Sequence, residues 1–194
     1  MLDLRVSTSS SWVEVVLDNF DEFLLDHAAC ERKASANAIS LVTHYPDRRE
    51  LVRVMIELAR EELDHFQRVY RFIEERGLIL TRDRKDPYLR GLLAQIQSGR
   101  EQYFLDRLLV AGIAEARGCE RFGLIATALA KCENEPGLSH FYADLSRSEA
   151  RHSDLFIDLA ETYFAHAEVS ARLGELLEHE ARVLSGLPIS PALH

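Results

Sequence analysis

The spacing of apolar residues along the chain is that of amphipathic helices. Apolar positions recur every three or four residues in nearly every segment, rather than at every second position as in a half-buried strand. Turn signals such as "YPD" and "NEPG" fall between these segments. The pattern therefore predicts an all-α protein.

Four long helices are predicted, with shorter ones around them. The long helices cover residues 21–44, 47–77, 100–135 and 138–164, and the shorter ones cover 11–18, 86–97 and 168–185. We predict N-caps at Asp21, Asp47 and Asp86, and a helix-ending glycine at Gly77. Residues 78–86 form a polar, basic connector. This order predicts a four-helix bundle with an elaborated middle connection and an extra C-terminal helix.

The size and composition of the chain are those of one globular domain. It has 194 residues, 47% of them hydrophobic and 28% charged, and we expect a single domain over residues 1–194. It begins with no signal-peptide pattern and contains no apolar run of about 18 residues. We therefore expect a cytoplasmic protein that does not bind a membrane.

Cysteine content and net charge exclude some functions. Cys30, Cys119 and Cys132 form no CxxC pair, which argues against a zinc knuckle and a disulfide scaffold and favours buried thiols. The net charge of -9 argues against nucleic-acid binding through an overall positive field. A local basic patch is still compatible with this charge.

A Glu-x-x-His pair occurs in each half of the chain. "AREELDHF" contains Glu62 and His65, and "SRSEARHSDLF" contains Glu149 and His152. The spacing by itself is common. However, both pairs lie on the apolar stripe of their helix, which predicts that they face the bundle interior. We expect Glu61, one position off this stripe, to be dispensable.

The helix before each pair carries one more carboxylate on a stripe of small or apolar residues. These are Glu31 in the first half and Glu115 in the second, with Glu120 as the less buried alternative to Glu115. Four buried carboxylates require neutralisation, and two divalent cations would supply it. A Glu from each of two helices and a Glu-x-x-His from each of two others is the ligand set of di-iron and di-manganese bundles. We predict a dinuclear site of Glu31, Glu62, His65, Glu115, Glu149 and His152, with His27 a candidate to support Glu31.

Whole segments of the sequence resemble the MiaE family of tRNA hydroxylases. The resemblance is carried by "LDNFDEFLLDHAACERKASA", "AREELDHF", "AEARGCERF" and "SRSEARHSDLF", in this order. It implies a ferritin-like, non-haem di-iron monooxygenase that uses dioxygen to hydroxylate the isopentenyl group of 2-methylthio-N-isopentenyladenosine in tRNA. The six residues of the predicted site would then bind two iron ions.

The resemblance also implies partners. The substrate would be the anticodon loop of tRNA, and the electrons would come from a separate ferredoxin or reductase, because the sequence has no flavin, haem or iron–sulfur motif. As a hypothesis, Arg82, Arg84 and Lys85 of the connector bind anticodon-loop phosphates. The oligomeric state is left open.

Two other uses of such a site are alternatives to hydroxylation. A ferritin-like ferroxidase or iron-handling protein would form a shell, which the connector and the C-terminal helix fit poorly. A rubrerythrin-like peroxidase would carry a cysteine-rich electron-transfer module, which is absent from this sequence.

Overall fold

The computed structural model describes residues 2–131 and 136–194, and within these ranges all regular secondary structure is helical. The predicted all-α class is confirmed. The described helices are α1 (Ser10–Asp18), α2 (Phe20–His44), α3 (Arg49–Glu75), α4 (Pro87–Leu93), α5 (Arg100–Leu129), α6 (Pro136–Tyr163) and α7 (His166–Gly186).

The chain divides into two compact units. One unit consists of Glu14–Lys85 with Ser190–Leu193, and contains α2 and α3. The other consists of Met1–Val13, Asp86–Ile189 and His194, and contains α4 to α7. That residues 1–194 form one domain stays a prediction.

In the first unit, α2 and α3 pack against each other as a helical hairpin. Apolar side chains from both helices are fully buried, among them Leu24, Leu41, Met55 and Val69. Burial of such side chains stabilises the fold by about 1.5–3 kcal/mol each. This burial stabilises the packing of α2 on α3 and so fixes the positions of the polar groups on the same faces.

The connector after α3 is held to α2 by ion pairs. Arg76 Nη1 lies 3.0 Å from Asp21 Oδ1, and Arg84 pairs with Glu22. Asp83 of the connector pairs with Arg32, whose guanidinium lowers the pKa of Asp83. Local contacts with α2 therefore fix the course of this segment.

In the second unit, α5 and α6 form the second long hairpin, and α7 packs on α4 and α5. Gly112 lies where α5 meets α6. A Cβ atom at this position would lie 3.3 Å from the carbonyl oxygen of Ser153 and from Cβ of Phe156. Glycine therefore permits the close approach of the two helices.

Two of the predicted helix signals are confirmed in detail. Asp86 is the N-cap of α4, where its Oδ1 accepts a hydrogen bond of 2.9 Å from the Leu89 N–H, and Pro87 is the first helical residue. Gly77 follows α3 with a φ of 66°, and the Leu78 N–H donates to the Ile73 carbonyl at 3.0 Å. This arrangement ends the helix as glycine does in a Schellman motif.

The other predicted caps were wrong. The N-cap residue is Asn19 for α2, not Asp21, and Arg48 for α3, not Asp47. Neither makes a side-chain cap hydrogen bond. Helix α2 begins at Phe20, one residue earlier than predicted, and the Phe20 ring packs on Phe23 with ring centroids 5.8 Å apart. Asp21 therefore lies in the first turn of α2, where its negative charge interacts favourably with the helix dipole.

Two helix ends also differ from prediction. Helix α4 ends at Leu93 instead of near residue 97, and α5 ends at Leu129 instead of near residue 135. Residues 132–135 lie outside the described part of the chain, and so does Cys132.

Candidate metal-binding groups

The α2–α3 hairpin brings three of the predicted ligands together. Glu31 on α2 and Glu62 and His65 on α3 are 4%, 1% and 5% exposed, and each offers a ligand atom within 4.8 Å of the others. His65 Nδ1 lies 3.6 Å from Glu31 Oε2 and 3.5 Å from Glu62 Oε2. We call these three residues the α2–α3 group.

The helical stripe explains why these polar side chains are buried. Met55, Leu58 and Val69 lie on the same face of α3 as Glu62 and are buried with it. The neighbouring Glu61 is exposed, as expected for a position about 100° around the helix. The apolar contacts of α3 thus carry Glu62 and His65 into the interior.

His27 lies directly behind Glu31. It is located one turn earlier on α2 and is fully buried, and its Nε2 lies 2.6 Å from Glu31 Oε1. As a metal ligand Glu31 would be ionised and would only accept hydrogen bonds, so Nε2 would be the donor in this contact. The sequence had suggested His27 as a supporting residue, and this contact is of that kind.

The α5–α6 hairpin brings together the other three predicted ligands. Glu115 on α5 and Glu149 and His152 on α6 each offer a ligand atom within 4.8 Å of the others. Glu149 and His152 are buried and Glu115 is half-buried, and His152 Nδ1 lies 3.0 Å from Glu149 Oε2. We call these residues the α5–α6 group.

The alternative residue Glu120 belongs to a different cluster. Its carboxylate accepts hydrogen bonds from the N–H and hydroxyl of Thr8, at 2.9 and 2.6 Å, and pairs with Arg117. The sequence indicates that this stripe is less buried because it includes Arg117 and Thr127. Thr127 is exposed, but Arg117 is fully buried. The carboxylate of Glu120 is thus paired with the buried guanidinium of Arg117.

Sequence reasoning missed the rest of this cluster, which we call the Arg117 network. Arg117 donates from Nε and Nη2 to Glu180 Oε1, at 2.9 and 2.7 Å, and Nη2 also reaches the Val6 carbonyl at 2.8 Å. Tyr88 donates to the same oxygen at 3.0 Å. Burial, and after it the charge of Glu180, raise the pKa of Tyr88 well above its ordinary value. No short motif links residues so distant along the chain, so the sequence offered no signal for this network.

Both groups have a donor set that fits a divalent metal ion. Each combines carboxylate oxygens with an imidazole nitrogen, a mixture suited to iron or manganese. In residues 2–131 and 136–194, the buried Lys and Arg side chains are Arg117 and Arg121, and both lie in or beside the Arg117 network. Bound divalent metal ions would balance the charge of the buried carboxylates of the two groups.

The cysteines of the described residues form no disulfide. Cys30 is half-buried and Cys119 is buried, and both are free thiols. Burial raises the pKa of the Cys119 thiol, which disfavours the reactive thiolate. The prediction of a buried thiol is confirmed for Cys119, whereas Cys30 is half-buried.

Comparison with known proteins identifies the family. The model of the family described as tRNA-(MS[2]IO[6]A)-hydroxylase (MiaE) matches residues 2–194. The chain belongs to the MiaE family. Because this is a family of hydroxylases, the predicted family and the prediction of an enzyme are confirmed.

Two curated proteins are similar to this MiaE family member over most of their length. Both are named tRNA 2-(methylsulfanyl)-N(6)-isopentenyladenosine(37) hydroxylase. The protein from Pseudomonas putida is 34% identical, over 95% of this chain and 93% of its own length. The protein from Salmonella typhimurium is 26% identical, over 93% and 83%.

A solved structure with the same fold is described as a protein from Synechococcus with aldehyde deformylating oxygenase activity. It is 38% identical, with a TM-score of 0.89, and the match covers 98% of this chain and 93% of that one. The ferritin-like fold predicted for this MiaE family member is thereby confirmed. None of the described helices is long and apolar enough to span a membrane.

Glu115→Ala and Glu120→Ala are expected to have opposite effects. Glu115→Ala removes a carboxylate from the α5–α6 group and should abolish bound iron, with little change in the melting temperature of the metal-free protein. Glu120→Ala should leave iron content intact and lower the free energy of unfolding by about 1–3 kcal/mol, because Arg117 loses a charged hydrogen-bond partner. Elemental analysis and thermal melting measure the two effects, and iron lost from Glu120→Ala alone would assign the ligand to Glu120.

Proposed function

We propose that the protein is an oxygen-dependent, non-haem di-iron monooxygenase that hydroxylates the isopentenyl group of 2-methylthio-N-isopentenyladenosine in tRNA. Membership of the MiaE family and the names of its curated relatives support this substrate. The observation that carries the proposal is the repeated donor set, a Glu opposite a Glu-x-x-His on each of two long hairpins.

In this proposal the two groups together bind two iron ions within one ferritin-like domain of residues 1–194. The ligands are the six residues predicted from the sequence, Glu31, Glu62, His65, Glu115, Glu149 and His152. Their four carboxylates balance the charge of two divalent ions, while the imidazoles bind as neutral donors. Five of these six side chains are buried and Glu115 is half-buried, which would limit the access of bulk water to the reaction.

Bound iron would supply the redox chemistry that allows dioxygen to insert one oxygen atom into a C–H bond. The overall reaction consumes the substrate, dioxygen, two electrons and two protons, and yields the alcohol and water. The chain itself supplies no carrier for the two electrons, so we propose an external donor, a ferredoxin or a reductase. Since the proposed substrate is tRNA, a cytoplasmic location is part of the proposal.

The proposed reaction is tested on cellular tRNA. Nucleosides from cells with and without this protein would be compared by mass spectrometry for the hydroxylated and unhydroxylated forms of 2-methylthio-N-isopentenyladenosine. We expect the hydroxylated form to disappear with the protein and to return on expression of the wild-type chain, but not of a His152→Ala variant. Equal amounts of the hydroxylated nucleoside in both strains would refute the proposal.

A second candidate activity is supported by the Synechococcus structure. That protein is described as having aldehyde deformylating oxygenase activity, and its identity to this chain is 38%. In deformylation, an aldehyde, dioxygen, four electrons and four protons would give a hydrocarbon, formic acid and water, with all four electrons supplied by the external donor. We therefore propose aldehydes as the alternative substrate class.

One experiment compares the two substrates directly. The iron-loaded protein, with dioxygen and a chemical reductant, would be given either a fatty aldehyde or tRNA that carries the isopentenyl modification. Hydroxylated nucleoside without formate supports the tRNA reaction, and formate with hydrocarbon but no nucleoside product supports the alternative.

The connector supplies the proposed contact with tRNA. Arg82 and Lys85 are exposed, whereas the charge of Arg84 is already paired with Glu22. Exposed cations on a segment held by neighbouring ion pairs can contact phosphates with little loss of backbone entropy. We therefore assign phosphate contacts to Arg82 and Lys85 before Arg84.

Neutralising these two residues is expected to weaken tRNA binding regardless of sequence. In Arg82→Ala with Lys85→Ala, the slope of log affinity against log salt concentration should fall by about 1 for each residue removed. The control is Arg53→Ala, which removes an exposed cation paired with Glu50 on α3. Filter binding at several salt concentrations measures both slopes, and an unchanged slope in the double variant would exclude the connector from the contact.

A further inference from the structure

The contact between His27 and Glu31 is short and lies entirely within the α2–α3 hairpin. His27 is fully buried and Glu31 is 4% exposed, and His27 Nε2 lies 2.6 Å from Glu31 Oε1. The His27 ring also packs on Phe23, with ring centroids 5.8 Å apart. A hydrogen bond to a carboxylate in such surroundings is stronger than one in water.

This hydrogen bond makes the two oxygens of Glu31 different. Oε1 accepts the hydrogen from His27, whereas Oε2 lies 3.6 Å from His65 Nδ1 in the α2–α3 group. Oε2 is thus the oxygen that lies toward His65. The same bond engages His27 Nε2, so this nitrogen cannot also bind a metal ion.

We propose that His27 is a positioning residue that restricts Glu31 to binding iron through a single oxygen, Oε2. The inference rests on the proposed di-iron function. A carboxylate that used both oxygens would have to give up or distort the hydrogen bond to His27. Held in this way, Glu31 would fill one coordination position of a bound iron ion instead of two.

Two substitutions separate the hydrogen bond from the packing of the ring. His27→Phe keeps an aromatic ring beside Phe23 but removes the N–H donor. His27→Gln keeps an N–H donor at a similar distance from the backbone. We expect His27→Phe to weaken iron(II) binding by about 10–100-fold, the usual cost of losing a residue that supports a ligand. His27→Gln should recover most of this affinity.

Competition with an iron(II) chelator measures the affinity. Infrared difference spectra between iron-loaded and metal-free protein report the mode of carboxylate binding. A carboxylate gives an asymmetric and a symmetric stretching band, and their separation is wide when one oxygen binds the metal and narrow when both do. In His27→Phe we expect the separation of one such pair of bands to become narrower. A matched control is His179→Phe, which removes a half-buried imidazole that bonds to the Gly91 carbonyl in the other unit. It should leave iron affinity unchanged.

The possible results distinguish this inference from the function on which it rests. A wild-type protein that binds no iron would refute the di-iron function itself. Wild-type affinity and unchanged carboxylate bands in His27→Phe would refute only the positioning role. Equal losses of iron affinity and of metal-free melting temperature in His27→Phe and His27→Gln would mean that His27 serves packing alone, which also overturns the inference.

Discussion

Glu62→Ala is expected to lose bound iron and hydroxylase activity, while Glu61→Ala retains both. Glu62 is 1% exposed and lies with Glu31 and His65, whereas Glu61 is exposed on the adjacent face of α3. The loss of iron(II) affinity should exceed the roughly 10–100-fold effect of a residue that only supports a ligand. Iron content, chelator competition and nucleoside analysis of the product check this result.

The melting temperature of the metal-free protein shows whether Glu62→Ala loses iron only because the variant is unfolded. Removing a buried carboxylate relieves its cost of desolvation, so metal-free Glu62→Ala should be at least as stable as metal-free wild type. Iron added to saturation should raise the melting temperature of wild type and of Glu61→Ala, but not of Glu62→Ala. Iron binding by Glu62→Ala at wild-type affinity would remove Glu62 from the ligand set.

Arg117→Ala is expected to have the largest effect on stability. It would leave Glu180, which is fully buried, without the guanidinium that donates two hydrogen bonds to it. Breaking a buried ion pair in this way costs about 3–5 kcal/mol. For a chain of this size, that loss lowers the melting temperature by about 6–20 °C.

Denaturant and thermal unfolding measure the effect of Arg117→Ala. The control is Arg182→Ala, an exposed arginine on α7 whose removal should change the melting temperature by less than about 2 °C. Replacing both partners with apolar residues, Arg117→Met with Glu180→Leu, should recover much of the lost stability because no charge stays buried alone. A melting temperature for Arg117→Ala equal to that of the control would show that the network adds nothing to stability.

The donor residues could be predicted because helical periodicity connects sequence to burial. Glu62 and His65 are three positions apart on an apolar stripe, so the period of 3.6 places both on the buried face before any tertiary contact is known. The same reasoning selected Glu149 and His152. It also separated Glu61 from Glu62, since adjacent positions on a helix point about 100° apart.

The choice between Glu115 and Glu120 depended on weaker reasoning. Both lie on α5, and the sequence preferred Glu115 because of its smaller neighbours. The structure brings Glu115 to Glu149 and His152, and brings Glu120 to Arg117 and Thr8. The reason given against Glu120 was incorrect for Arg117, which is buried, but correct for Thr127, which is exposed. A charged residue is expected to be exposed unless a buried partner of opposite charge is known. The partner of Arg117 is Glu180, 63 residues away along the chain, so the sequence contained no sign of it.

The sequence by itself determined the all-α class, the long helices and the residues on their buried faces, because these depend on contacts within a few residues of one another. It also determined the family, through whole segments that resemble MiaE. Only the tertiary structure decided which oxygen of Glu31 meets His27, and which carboxylate meets Arg117. Such contacts depend on distances between side chains and between helices, and helical periodicity specifies a face without specifying the atoms that meet on it.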